Sequence, residues 1–283
     1  MKKFLKYTVV SIFLIAFLLV TTELTLIYSK FSEKLFNPYY IFKEEFRNPA
    51  LHKNSNKKSI ILMGCSFFYD PFLKEKDIAH TLLSKQTKRN VYNLALTGSS
   101  VAESLYILRN YDDNIALKKI LNNDFNIEHI IINYMPWHVK SLLISPRGMC
   151  PRFKKDNGKL ILNTNPLYNT EICTALNILV RRNTQYKIPP ITFNLYIEHV
   201  KEIKKEIEKQ FGKDAKLTIL VVKEFGFEDW DKLKKEGINI INLNEILGFD
   251  INTKEYQISY RNDHPNKKAW EVIVPALIKE LNL

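Results

Sequence analysis

Ser59-Ile60-Ile61-Leu62-Met63-Gly64-Cys65-Ser66-Phe67-Phe68 sets an apolar run, Ile60 to Met63, directly before a Gly-Cys-Ser turn and two aromatics. An apolar run of this length, ended by glycine and a small hydroxyl residue, predicts a buried parallel strand feeding a tight turn. In open α/β sheets ligands bind outside the carboxyl ends of the strands. Ser66 is therefore the first candidate for chemistry. The plain alternative is that Ser66 caps the helix that follows.

Working outward, the same device repeats. A second strand, Asn90 to Ala95, ends in Leu96-Thr97-Gly98-Ser99-Ser100, and an isoleucine-rich third, Ile127 to Tyr134, stops at Met135-Pro136-Trp137-His138. Between them, Asp77 to Ser84 and Val101 to Arg109 carry apolar residues at helical spacing. Residues 142–191 break the rhythm and read as an insertion over the carboxyl ends of the strands. Asp156-Asn157-Gly158 is a hairpin-turn signal there, Glu171 to Arg182 a helix, and Pro189-Pro190 the close of the unit. A long amphipathic helix through Phe193, Tyr196, Val200, Ile203, Ile207 and Phe211 restores the pattern. Strands follow at Leu217 to Val222 and Ile238 to Leu243, then a closing helix over about Asn266 to Leu281, introduced by Pro265 and kinked at Pro275. Alternating strands and helices predict a flavodoxin-like three-layer α/β sandwich with a five-stranded parallel sheet of the 2-1-3-4-5 kind.

The ends and the composition add a setting. Of the 283 residues, 46% are hydrophobic and 25% charged, the balance of a globular protein. Lys2, Lys3 and Lys6 precede an apolar stretch from Tyr7 to Tyr28 that is interrupted by Thr21-Thr22-Glu23. A bilayer needs about 20 mainly apolar residues, so residues 1–28 read as one N-terminal transmembrane helix, with a cleaved signal peptide as its rival. Leading lysines put the N-terminus in the cytoplasm and the rest outside a bacterial inner membrane. Residues 29–58, broken by Asn37-Pro38 and Asn48-Pro49, read as a juxtamembrane connector, and 59–283 as the folded domain. The net charge of +12 suggests anionic neighbours such as phospholipid heads or an acidic envelope polymer. No nucleic-acid reading module is recognisable. Cys65, Cys150 and Cys173 are too few for a disulfide framework, although Cys150 and Cys173 are open to pairing in an exported domain; Cys65 reads as a small packing residue. His52, His80, His129 and His199 show no metal spacing, and neither metal nor cofactor is expected.

The predicted topology brings Ser66, Gly98 and the Pro136-Trp137-His138 turn to one rim, which the loop Tyr260 to Asn266 can also reach. A serine becomes a nucleophile when a histidine takes its proton and a carboxylate holds that histidine. Backbone N–H groups at Ser66 and Gly98 are placed to stabilise an oxyanion.

These residues carry a family resemblance. Gly64-Cys65-Ser66-Phe67 resembles the first block of the SGNH/GDSL hydrolase superfamily, whose nucleophilic serine follows the first strand. Tyr92-Asn93-Leu94-Ala95-Leu96-Thr97-Gly98-Ser99 is similar to its second block, with the oxyanion glycine, and Asp263-His264-Pro265-Asn266 resembles its last, with acid and base. The resemblance implies Ser66 as nucleophile, His264 as base with Asp263 as its carboxylate, and Ser66 and Gly98 as oxyanion donors. His138 and Asn93 stand as auxiliary candidates. It departs twice: Tyr134-Met135-Pro136-Trp137-His138 stands where the family has Gly-x-Asn-Asp, and Asp263 adjoins His264 where the family spaces the pair by two or three residues. The implied activity is ester hydrolysis or O-acyl transfer on an acylated envelope carbohydrate. A non-catalytic anchored binding or assembly factor is the competing reading, and a Ser66–His264 separation well beyond one bridging water would favour it.

Overall fold

The computed structural model describes residues 11–12, 14–22, 46–52, 58–110, 126–143, 153–157, 159–162, 190–224, 226–259 and 262–283. Within these, β1 (Ser59–Met63), β2 (Val91–Asn93), β3 (Ile127–Tyr134), β6 (Lys216–Val221) and β7 (Asn239–Asn242) form one sheet in the order β2-β1-β3-β6-β7, with every neighbouring pair parallel. Counting only these strands, that is the expected 2-1-3-4-5 order. All of β1 is buried because both faces are covered, which is why it reads as an unbroken apolar run.

Alternate residues supply the two covers. Ile61, Met63, Ile130, Ile132 and Ile219 face a core closed by α3 (Val101–Arg109) and α5 (Pro190–Phe211). Ile60, Leu62, Ile131, Leu220 and Ile241 face α2 (Ala79–Thr87) and α8 (Lys267–Leu281). The remaining helices are α1 (Ser66–Tyr69), α4 (Pro136–Leu143), α6 (Asp231–Lys234) and α7 (Leu243–Leu247). Outside the sheet, β4 (Phe153–Asp156) pairs with β5 (Lys159–Leu162), and β8 (Gln257–Ser259) with β9 (Asn262–Pro265), both antiparallel.

Boundaries moved where side chains intervene. The second strand stops at Asn93 instead of Ala95 because Asn93 Oδ1 accepts the Ala95 N–H at 3.1 Å. Backbone contact with β1 nevertheless continues, through Leu94 N to Leu62 O and Leu96 N to Gly64 O. The long helix begins at Pro190, whose fixed φ and missing N–H suit a first helical position. Asn157 takes φ +47° in the β4–β5 turn, as the Asp-Asn-Gly signal requires. Pro275 is exposed within α8, so the Glu271 carbonyl it leaves without an N–H donor lies on the solvent side. His264, expected in a loop, lies on β9.

The domain also reaches further back than Ser59. Ala50 and Val91 exchange backbone hydrogen bonds of 3.0 Å, and His52 N donates to Asn90 Oδ1, so residues 46–52 are stitched to β2. Among the described residues no helix is long and apolar enough to cross a membrane. The anchor falls largely on residues outside those described, as do Glu171 to Arg182, Cys150 and Cys173.

Candidate active site

Ser66 opens α1, immediately beyond β1. A four-residue helix closes at most one turn, and an isolated turn is unstable because its nucleation fixes several residues for one hydrogen bond. Side chains from other elements hold this one. Gly64, at φ +114°, makes the sharp exit from the strand, and a Cβ there would sit 2.2 Å from Asn133 Oδ1. That oxygen, at the end of β3, accepts the Cys65 N–H at 2.9 Å, while Asn133 Nδ2 lies 3.0 Å from Cys65 Sγ. The Cys65 sulfur in turn caps the helix by accepting from Phe67 N. Burial pushes the Cys65 thiol up to about 11, so it stays protonated and plays a packing and capping part.

The far end of α1 is held as closely. Asn93 Nδ2 donates to Phe68 O at 2.8 Å and lies 3.3 Å from His80 Nδ1. The other ring nitrogen of His80 meets Glu75 at 2.7 Å. Burial lowers the pKa of His80, which fits a neutral ring with Nε2–H toward Glu75 and Nδ1 toward Asn93. Arg47 donates from Nη2 to Asp70 O at 2.7 Å and from Nε to Tyr69 O at 3.1 Å, and pairs with Glu75 at 3.3 Å. Asp70 closes the helix in the left-handed region, φ +43°, with its N–H on Ser66 O.

Against this frame the β8–β9 hairpin delivers His264. Its Nε2 lies 2.7 Å from Ser66 Oγ, across 198 residues of chain. In the tautomer with hydrogen on Nδ1, Nε2 accepts the Ser66 O–H. The Phe72 ring stands edge-on to the imidazole at 4.9 Å between centroids and is itself 54% exposed, so it walls one side of the pair. Just beyond His264, Asn266 fixes the start of α8. Its N–H donates to Tyr256 O, its side-chain amide to Glu255 O and Gln257 O, and its Oδ1 caps Ala269 N. Ser66 and His264 are thus each fixed to the body of the fold by neighbours outside their mutual contact.

The other sequence candidates fall into place differently. Gly98 takes φ +77° in the turn between β2 and α3, where Ser99 N reaches Leu96 O and Ser100 begins α3 with a capping box to Glu103. The backbone of Asp263 belongs to β9; its side chain lies outside the described residues. Asn93 is buried beneath α1 and supports it from behind, so it does not stand at the rim as an auxiliary group. His138 does not reach the rim either. It is fully buried on α4 between Tyr134 and Trp137, with Nδ1 3.4 Å from the Met135 N–H and Nε2 without a partner among the described residues. Burial holds its pKa near 3, so it is a neutral packing residue. Asn133, Arg47, Asp70 and Trp270 were not read as parts of the site. Only Asn133 left a signal: an amide inside an otherwise apolar buried run.

No family model matches the chain, and no curated protein does. Among solved structures it is similar to a protein assigned to the G-D-S-L lipolytic family from Desulfitobacterium hafniense, at 11% identity and TM-score 0.45, over 79% of this chain and 99% of that one. It is also similar to the esterase EstA from Pseudoalteromonas sp., at 11% identity and TM-score 0.43, over 80% and 97%. A third is the acetyl xylan esterase Est2A from Butyrivibrio proteoclasticus, at 12% identity and TM-score 0.47, over 80% and 64%. At such identities the chemistry has to be read from this chain's own residues. Among the described ones, no cluster of His, Cys, Asp and Glu is arranged to hold a metal ion.

Proposed function

We propose that this chain is an SGNH-type serine-dependent ester hydrolase or O-acyl transferase. The observation that carries the reading is the 2.7 Å contact between Ser66 Oγ and His264 Nε2, within the range at which a general base takes a nucleophile's proton. In the first step Ser66 Oγ forms a bond to the acyl carbon while its proton passes to His264 Nε2. The negative charge that develops on the carbonyl oxygen is held by the Ser66 and Gly98 amides. Collapse breaks the carbon–oxygen bond to the alcohol, which leaves with the proton from His264. Water or an acceptor hydroxyl then bonds to the acyl carbon as its proton passes to the same nitrogen, and collapse breaks the bond to Ser66 Oγ, which takes that proton back as the acid or the new ester leaves. Asp263 is the carboxylate proposed to orient the imidazole, and no cofactor enters the scheme.

The substrate proposed is an O-acylated, chiefly O-acetylated, carbohydrate of the cell envelope, and the setting an N-terminal anchor in the inner membrane with the domain outside. Supporting the anchor, the stretch Tyr7 to Tyr28 follows three lysines, and its described helical residues leave Leu14, Phe17, Leu18 and Val20 exposed. A net charge of +12 suits an acidic polymer. The test is acetate release from aryl acetates and acetylated glycans by the full chain beside Ser66→Ala. Turnover that disappears with the hydroxyl supports the reading. Equal turnover in both, or binding of acetylated glycan with no acetate released and no acyl transferred, replaces it with the non-catalytic one.

A further inference from the structure

We propose that Asp70, through its bond to Trp270, is a positioning residue that sets the distance between Ser66 and His264, an assignment that rests on the serine-dependent reading above. Trp270 Nε1 donates to Asp70 Oδ2 at 2.8 Å, across 200 residues of chain. Asp70 lies four positions after Ser66, and its N–H bonds back to Ser66 O at 2.8 Å. On the other side Trp270 N bonds to Asn266 O, and Asn266 stands two residues after His264. The path from Ser66 to Asp70, across to Trp270, back through Asn266 to His264 and across to Ser66 is a closed ring with two side-chain seams, of 2.8 and 2.7 Å. One seam is the catalytic contact. The other is the only one of the two free to act as a brace.

The brace is built from a group that packing alone does not require. Trp270 is fully buried and already wedged against Phe67 and Phe68, with centroids 5.1 and 6.2 Å away. An apolar neighbour would serve that packing. Instead the position holds a fully buried carboxyl in a left-handed backbone, which takes the indole N–H on Oδ2 and also faces the backbone amides of Phe72 and Leu73. Burial raises this carboxyl to about 6, so its ionised form is costly at neutral pH. An ionised acceptor makes the stronger, more directional bond to the indole N–H. Arg47 is the charged group whose field favours the ionised Asp70 carboxyl. Arg47 lies on the carbonyl side of Asp70 and is paired with Glu75, which also meets His80. Lys267, one turn before Glu271 on α8, pairs with Asp77 and with Glu271.

The experiment compares the full chain with Asp70→Asn and Trp270→Phe, reading both NMR and kinetics. The Trp270 indole N–H resonance, identified by its loss in Trp270→Phe, is expected to shift with pH with a midpoint near 6 and to stop doing so in Asp70→Asn. The ring-proton titration of His264 is expected to move, in both variants, toward the curve of Ser66→Ala. The same loosening lowers kcat on an aryl acetate about 10- to 100-fold with KM within twofold. An unchanged His264 titration with kcat within twofold of the parent overturns the proposal. If Ser66→Ala turns over ester as fast as the parent, the serine reading itself fails, and the His264 titration still decides whether the brace exists.

Discussion

Replacing Gly64 by alanine tests the frame that presents Ser66. Two costs add. The backbone at φ +114° is one that an L side chain adopts only under strain, about 1–3 kcal/mol. The new Cβ would lie 2.2 Å from Asn133 Oδ1, more than an ångström inside ordinary contact. Asn133 cannot yield without giving up its 2.9 Å bond to the Cys65 N–H, and a buried group left without its partner costs about 1–3 kcal/mol. The expected destabilisation is about 3–5 kcal/mol, measured as a fall in the urea midpoint at constant slope. Asn133→Ala removes the obstacle, so in that background Gly64→Ala should cost only its backbone part, leaving a coupling of about 1–3 kcal/mol in a double-mutant cycle. A cost below about 1 kcal/mol for Gly64→Ala alone, or strict additivity of the pair, would refute the idea that Asn133 and Gly64 together shape the turn.

Other perturbations separate catalysis from support. Ser66→Ala and His264→Ala should each lower ester turnover at least about 10³-fold while leaving the urea midpoint within experimental error, since neither change opens the core. Loss of structure in either would mean that the pair is a fold contact. His138→Phe should keep activity and hold or gain stability, because it removes a buried ring nitrogen without a described partner; a collapse in turnover would restore His138 to the site. His138 is held near pKa 3 when folded, so the unfolded chain takes up its proton first, and native stability present above pH 6.5 is lost as pH falls toward 3; His138→Phe should flatten that limb of a stability–pH curve. Asp70 acts in the opposite sense. Its carboxyl is raised to about 6, so the folded form holds its proton longer, and stability declines as pH rises from about 4 to 6, by on the order of 3 kcal/mol. Asp70→Asn should abolish that decline, and an unchanged slope would show that this carboxyl does not titrate with folding.

The sheet was legible because burial on both faces leaves a plain mark: runs such as Ile60 to Met63 and Ile130 to Ile132 have no polar alternation. Ser66 stood out for a related reason, since it follows such a run directly, and His264 stood out through the Asp263-His264-Pro265-Asn266 block before the closing helix. The supporting residues were hidden because their partners are distant in sequence. Arg47 reaches Asp70 from a stretch that reads as connector, and Trp270 reads as core packing until its indole N–H is seen on Asp70. His138 misled because a histidine beside a strand end is a chemical signal in sequence, while only packing shows that Tyr134 and Trp137 enclose it. Asn93 was hard to place for the same reason: its amide donates to Phe68 O beneath the Ser66 helix, a partner distant in sequence. The β8–β9 hairpin went unseen because its strands are three and four residues long, too short for an alternating pattern to show.

Ser66 and His264 are proposed as nucleophile and base. The deciding experiment is peptide mapping by mass spectrometry after the full chain meets a fluorophosphonate, which reacts fastest with an activated serine. One phosphonyl adduct is expected on the peptide containing Ser66, and its loss when His264 is changed to alanine. An adduct on another residue, or one that forms equally fast without His264, would contradict that assignment.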